Sequence, residues 1–411
     1  MINRRFILMM ISVSVVCGIL PAGAAVKVTP VANLSILGGQ YWVTESVPSS
    51  FGGNADIFFS PVLNFSPAVA LLPIYSGNYR GTKSVRDLVG GGTLTQESQD
   101  HSVSLKLVNK ISGNLKLKAS ANYKLEYLKE TKDETWGQGL FDYNRMGFGL
   151  ELEKRWQKTS GRAGVDYYTM NYPHYQSLVT ENSFETSMDT TTYSEISAQA
   201  GTNVLNYNGI ALFLESARQM SPKVIGTLRY DISMKNFVDQ KTVQYTGAFS
   251  STLRSDLSHT LSMGINLATP RVVLSLTDAL QMYDSNQNTF DTASSEYVAN
   301  NYDYFQNGIM PAITFKLGSV DEPVKLSLLW DISWRLYAER MAQDANGDNK
   351  SDKISQLINT MGMSISYPLA GALSGKVALN YSDSSSNMRY EKNYKYNYYT
   401  FNYFLGINWE L

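Results

Sequence analysis

The sequence predicts an all-β fold: a transmembrane antiparallel up-and-down β-barrel of about 16 strands, within a range of roughly 14–18. Three observations predict it. The N-terminus reads as an export signal, side chains alternate with period two through most of the 411 residues, and the closing segment carries an apolar face to its last residue.

Arg4 and Arg5 give a positive start, Phe6 to Leu20 form an apolar stretch, and Ala22-Gly23-Ala24 supplies small residues for cleavage. The stretch is short for a bilayer-spanning helix and no stop-transfer pattern comes after it. The expected organisation is a signal peptide over 1–24 and a barrel over 25–411, with short periplasmic turns and long extracellular loops. Cys17 is the single cysteine, and Ser14-Val15-Val16 before it makes a poor lipobox. Cleavage would leave no thiol, which excludes Cys-ligated zinc, haem attachment and a cysteine nucleophile. A closed barrel needs no disulfide, because its ladder has no edge.

From Tyr399, alternate residues are Phe401, Tyr403, Leu405, Ile407, Trp409 and Leu411, while Thr400, Asn402, Phe404, Gly406, Asn408 and Glu410 fall on the other face. One apolar and one mostly polar face describe a strand between lipid and water. This segment resembles the terminal strand by which bacterial outer-membrane barrels are recognised for assembly, with Tyr403, Leu405, Ile407, Trp409 and Leu411 as the signal. That pattern usually ends in Phe, where this chain has Leu411. The resemblance reaches the porin-like barrel class and no particular subfamily. It implies a Gram-negative outer membrane, and outer-membrane lipid, lipopolysaccharide and the barrel-assembly machinery as partners. A homo-oligomer or a periplasmic partner is compatible with it.

Composition agrees. Lys and Arg number 35 against 36 Asp and Glu, so no basic field points to nucleic acid. Mean hydropathy is −0.21, and no run of 18 apolar residues occurs beyond the signal, which excludes a helical membrane protein. No linker or change of composition divides the chain, so one large barrel accounts for its length.

Alternation recurs along the chain. Leu115, Leu117, Ala119, Ala121, Tyr123 and Leu125 share one face; Lys116, Lys118, Lys124 and Glu126 share the other. Phe148, Leu150 and Leu152 oppose Glu151 and Glu153. Leu228, Tyr230, Ile232 and Met234 oppose Arg229, Asp231 and Lys235. Leu326, Leu328, Trp330, Ile332 and Trp334 oppose Asp331 and Arg335, with Leu329 as an exception. Full charges along so many strands require water on that face. These residues are therefore the expected lumen lining, and their mixed signs predict weak ion discrimination. Trp156, Tyr230, Trp330, Trp334, Tyr367, Tyr381, Tyr403 and Trp409 are expected in the aromatic girdles rather than in a sugar-binding lumen.

Short turns are expected near Ser66-Pro67, Ser112 to Asn114, Thr159 to Gly161, Ser221 to Lys223, Ala268 to Pro270, Gly318 to Pro323 and Pro368 to Gly375. Long polar loops are expected over Gly81–Glu97, Glu130–Asp142, Pro173–Thr192, Asp239–Ser255, Ser285–Asn301, Ala342–Lys353 and Ser384–Asn393. Pro48, Pro61, Pro67 and Pro73 crowd the N-terminal third, where a plug, turn or edge is expected.

Little points to catalysis. The histidines are His101, His174 and His259, and no G-x-S-x-G, H-E-x-x-H or P-loop occurs. Ser258 and Ser262 have the opposite parity to His259, so they point across the wall from it. Asp344, Asn346, Asp348 and Asp352 resemble half of a calcium loop, but Asn349 stands where Gly is expected and Ser355 where the bidentate Glu belongs. A structural Ca2+ there would be weak; otherwise the segment is an Asn346-Gly347 turn, and no other cofactor is expected. Asp133, Glu134, Asp142, Glu181, Glu185 and Asp189 give acidic loops suited to solvent or to lipopolysaccharide-bridging cations. The expected function is a porin-like channel for small hydrophilic solutes. The alternative is a structural or scaffold barrel of a trans-envelope export or electron-transfer complex; an enzyme is a distant third.

Overall fold

The structure, a computed structural model, describes residues 26–43, 50–88, 91–131, 133–175, 203–291, 296–391 and 395–411. The export signal and Cys17 lie outside these residues. Sixteen long strands form a closed antiparallel barrel, as the alternation predicts. They are β1 (Ala32–Val43), β2 (Ser50–Phe59), β3 (Val69–Arg80), β4 (Glu97–Lys110), β5 (Leu115–Lys129), β6 (Tyr143–Arg155), β7 (Thr159–Asn171) and β8 (Tyr207–Ser221). The second half comprises β9 (Val224–Val243), β10 (Phe249–Ala268), β11 (Val272–Ser285), β12 (Tyr304–Leu317), β13 (Val324–Gln343), β14 (Asn349–Ala370), β15 (Leu373–Ser386) and β16 (Tyr398–Glu410).

Each strand pairs with its neighbours in chain order, and β16 pairs back onto β1 from Asn33↔Glu410 to Val43↔Thr400. Beyond that ladder the amides of Ala32 and Leu411 donate to each other's carbonyls at 3.0 and 2.8 Å. Both ends of the wall thus meet at the end carrying the short turns. Trp42 stands over the seam, its ring 5.3 Å from that of Phe401 and 5.9 Å from that of Tyr403.

Pro48 lies outside the described residues, and the other N-terminal prolines do not make a plug. Pro73 lies within β3, facing Leu105 of β4, and Pro67 lies in the turn to β3. Pro30 and Pro61 interrupt two adjacent strands at one level, because proline has no amide to donate to the ladder. Pairing stops at Ala32↔Phe59 and resumes at Thr29↔Val62, between the segments Lys27–Thr29 and Val62–Asn64. The Ser60 amide bonds the Val31 carbonyl at 2.8 Å across the gap. Around Pro61, Pro67 and Pro73 the region expected as plug or edge is therefore wall.

Two expected loops are mostly ladder. β9 with β10, and β13 with β14, run on past the neighbouring strands, leaving tight turns around Gly247 (φ +83°) and Gly347 (φ +99°). Register shifts between Asn236 and Lys241 and between Leu336 and Met341 mark where the hairpins continue beyond the regular ladder. Their polar sequence resembles loop because a strand in water on both faces has no apolar alternation. Small two-stranded arms, Ser84–Leu88 with Gly91–Thr95 and Thr289–Asp291 with Glu296–Val298, decorate two other connections. The Leu329 exception resolves through its neighbours. It pairs with Ala312 and Gly362, whose small size leaves room for a leucine on the inner face.

The seam is tight. A Cβ on Gly39 would overlap the Tyr403 carbonyl oxygen, and one on Gly406 the Ile36 carbonyl oxygen. Gly39→Val is expected to destabilise the closed barrel by about 3 kcal/mol, through overpacking against backbone that cannot move aside. The heat-modifiable gel band and the urea midpoint measure it. Gly113→Val, where a side chain meets nothing within 4 Å, should leave both unchanged.

Candidate functional site

The outer wall is apolar: Phe148, Leu150, Leu152, Leu214, Leu228, Ile265 and Leu405 are all exposed there. The residues alternating with them face the lumen, and strand register brings their charges together. Lys116, Glu153, Arg162, Glu215 and Arg229 lie in one hydrogen-bonded row on β5 to β9. Positive and negative groups alternate strand by strand. Adjacent strands lie about 4.8 Å apart, within reach of long side chains.

The contacts obey that spacing. Lys116 reaches Glu153 at 3.4 Å, and Lys118 reaches Glu151 and Glu153 at 2.6 and 2.7 Å. Arg162 grips Glu215 bidentately through Nε at 3.1 Å and Nη2 at 2.5 Å. Arg229 reaches Glu215 at 3.2 Å and holds Asp231 through Nε at 2.8 Å and Nη2 at 2.6 Å. Lys106 on β4 extends the chain to Glu151 at 3.5 Å, and Arg155 joins Glu153 at 2.9 Å. Phe213 lies under this network, its ring 4.5 Å from the Arg229 guanidinium, where Gly164 leaves space for it.

The other expected lining residues are placed separately. Lys124 bridges Asp100 and Glu126 at 2.9 and 2.8 Å, and Tyr143 donates to Glu126. Lys235 lies over the rings of Tyr207 and Tyr283. Arg335 donates to Gln306 at 2.8 Å and stacks on Tyr304 at 4.5 Å. Asp331 faces Thr360 two rows from Arg335. Six of the eleven expected residues thus join one network: Lys116, Lys118, Glu151, Glu153, Arg229 and Asp231.

Sequence reading missed Arg162, Glu215 and Lys106, which connect those six. The alternation on their strands is a usable signal, but Phe213 and Gly164 blur the polar face. It also missed inward aromatics. Tyr168, Tyr207 and Phe237 pack with Val204, Leu205 and Tyr172 at the long-loop end. There the Tyr172 amide bonds the Asn206 side chain at 2.7 Å, and burial pushes the Tyr172 phenol up to about 12. Outside, Trp156, Tyr230, Trp330, Tyr367, Tyr381 and Trp409 are exposed as girdle residues should be. Tyr230 and His259 share the outer face, the hydroxyl 2.8 Å from Nδ1, while Ser258 bonds Gln281 at 3.0 Å.

Asp344 caps its turn. Its Oδ1 accepts the amides of Asn346, Gly347 and Asp348 at 2.8, 3.1 and 3.1 Å, which holds its carboxyl below the usual carboxylate range. Asp352 already lies on β14. Among the described residues no three His, Cys, Asp or Glu side chains converge as a metal site. Glu134 and Asp142 likewise accept backbone amides of their own loop, Glu134 from Glu130 and Thr131, Asp142 from Leu128 and Gly139. Glu181, Glu185 and Asp189 lie outside the described residues.

A closed sixteen-stranded antiparallel wall, apolar outside and ion-paired inside, has the architecture of a transmembrane β-barrel. No family model matches the chain, and no curated protein does. Among solved structures it is similar to OmpT, an outer membrane protein of Vibrio cholerae (8% identity, 96% of this chain and 100% of that one, TM-score 0.47). It is also similar to OccD3 of Pseudomonas aeruginosa (8%, 95% and 94%, 0.44) and to an anion-selective porin from Comamonas acidovorans (9%, 94% and 100%, 0.45).

Glu215→Ala would remove the carboxylate that Arg162 and Arg229 share, leaving Arg229 on Asp231 and Arg162 on the longer contact to Glu151. A loss of about 2 kcal/mol is expected in urea unfolding of vesicle-refolded protein, and Glu215→Gln should lose less. Asp344→Ala should open the turn and increase proteolysis within residues 342–350. Because folding lowers the Asp344 pKa, its contribution is full above the ordinary carboxylate range and fades as pH falls through the lowered value. Wild-type turn proteolysis should therefore approach the variant's in acid, measured with an acid-active protease.

Proposed function

We propose that the barrel is an outer-membrane channel for passive diffusion of small hydrophilic solutes. The single observation behind this is the ionised network across six consecutive strands of the inner face. Charges at this density need water or mutual pairing. The side chains leave part of that requirement to solvent, since Lys106, Lys116, Arg162 and Arg229 each keep about a third of their surface exposed. A barrel of about sixteen strands is wide enough to enclose an aqueous path once side chains line it. The protein's role is then structural: it holds water in place of hydrocarbon, and the charge on its wall sorts the solutes that enter.

A scaffold barrel would enclose another protein in that space. Stepwise, stable single-channel currents from purified barrel in a planar bilayer are the expected result. Closed barrels that insert without current, and that purify with a periplasmic partner filling them, would refute the channel and favour the scaffold.

A further inference from the structure

We infer that the lumen selects for anions, through three unneutralised lysines at the short-turn end. This rests on the channel reading above. Lys316 of β12 directly opposes Lys325 of β13, and the same row continues through Ser366 of β14 to Lys376 of β15. Leu317 and Val377, next to two of the lysines, and Tyr367, next to the Ser366 that faces Lys325, are exposed on the apolar side, which puts this row on the inner face. Among the described residues, none of the three lies within 4.0 Å of a carboxylate.

The nearby acids are otherwise placed. Asp321 and Glu322 are in the exposed turn between β12 and β13. Glu410, which accepts from Asn33 at 3.3 Å and from Asn408 at 2.9 Å, keeps its charge but lies toward the end of β16, beyond the Gly406 that faces Lys376. Asp331 is on the inner face but six residues further along β13 than Lys325. Like charges set directly opposite each other across a ladder repel. Here the repulsion is relieved by a mobile anion drawn from the solution, and an entering anion meets this field as attraction.

The opposite arc does not cancel it. Around Glu151, Glu153 and Glu215, the lysines and arginines outnumber the carboxylates. The difference is that those cations are held by partners, whereas Lys316, Lys325 and Lys376 remain available to a passing solute. Mixed sign in the sequence predicts weak discrimination; the spatial separation of paired from unpaired charge predicts a direction. Small anions, such as chloride, phosphate and carboxylates, are the favoured class.

The test is the reversal potential of the refolded protein in a planar bilayer under a tenfold potassium chloride gradient. Anion over cation permeability is expected at roughly three or more, falling toward about one in Lys316→Gln/Lys325→Gln/Lys376→Gln. Lys325→Gln alone should give an intermediate value, and serves if the triple variant does not close. Lys353→Gln, whose partner is Glu339 outside the lumen, should behave as wild type. A conducting wild type without anion preference, or a triple variant with unchanged selectivity, overturns the inference. A closed barrel without current overturns the channel reading instead.

Discussion

Hydrocarbon offers no hydrogen bonds, so every backbone amide and carbonyl within the membrane must be satisfied by the chain itself. The rest of this molecule depends on that constraint. It demands closure, and closure puts Ala32 and Leu411 side by side with reciprocal amide bonds. The glycines of the seam are a consequence, because Gly39 and Gly406 sit where any Cβ would strike the backbone of the facing strand. The one described gap in the wall's early strands is matched across both of them: Pro30 and Pro61, each lacking a donor, fall at the same level, and the Ser60 amide finds Val31. A break confined to one strand would leave its neighbour with orphaned groups.

Closure also imposes register, and register turns residues that are far apart in sequence into neighbours in a row. Lys116 and Arg229 are separated by more than a quarter of the chain, yet three strands carrying Glu153, Arg162 and Glu215 link them in alternating sign. An isolated ion pair in water contributes little. In a row, one carboxylate can serve several cations and a guanidinium is already oriented, so the side-chain entropy lost per contact falls. Lys118 serving two glutamates, and Glu215 serving two arginines, show the sharing directly.

The wall is legible in the sequence because period two is local. Runs such as Leu115 to Tyr127 and Leu405 to Leu411 display it, and strand count emerges from the spacing of turns. Polar hairpin tips are not legible, since Asp239 to Ser255 and Ala342 to Lys353 are bathed on both faces and show no apolar rhythm although they remain ladder. For the site, parity correctly sorts inward from outward residues but cannot say which of them meet. Arg162, flanked by Gly161, Ala163 and Gly164, gives too weak a pattern to attract notice, yet it joins the two halves of the network. Inward aromatics such as Tyr168 escape for a related reason: ring-bearing residues at an outer-mouth level read equally well as girdle.

Paired and unpaired charge thus divide the inner face into arcs with different physical roles. On β4 to β9 most of the ionised groups hold one another, so they stiffen the wall and keep their cations engaged. On β12 to β15 the inner row is Lys316, Lys325, Ser366 and Lys376, interrupted by a hydroxyl and, among the described residues, free of carboxylate partners. A solute crossing between these arcs would meet a surface of paired charge on one side and one of unpaired charge on the other. Selectivity is then set by the small uncompensated remainder, not by the total charge of the chain, which is close to zero and by itself would suggest no preference at all.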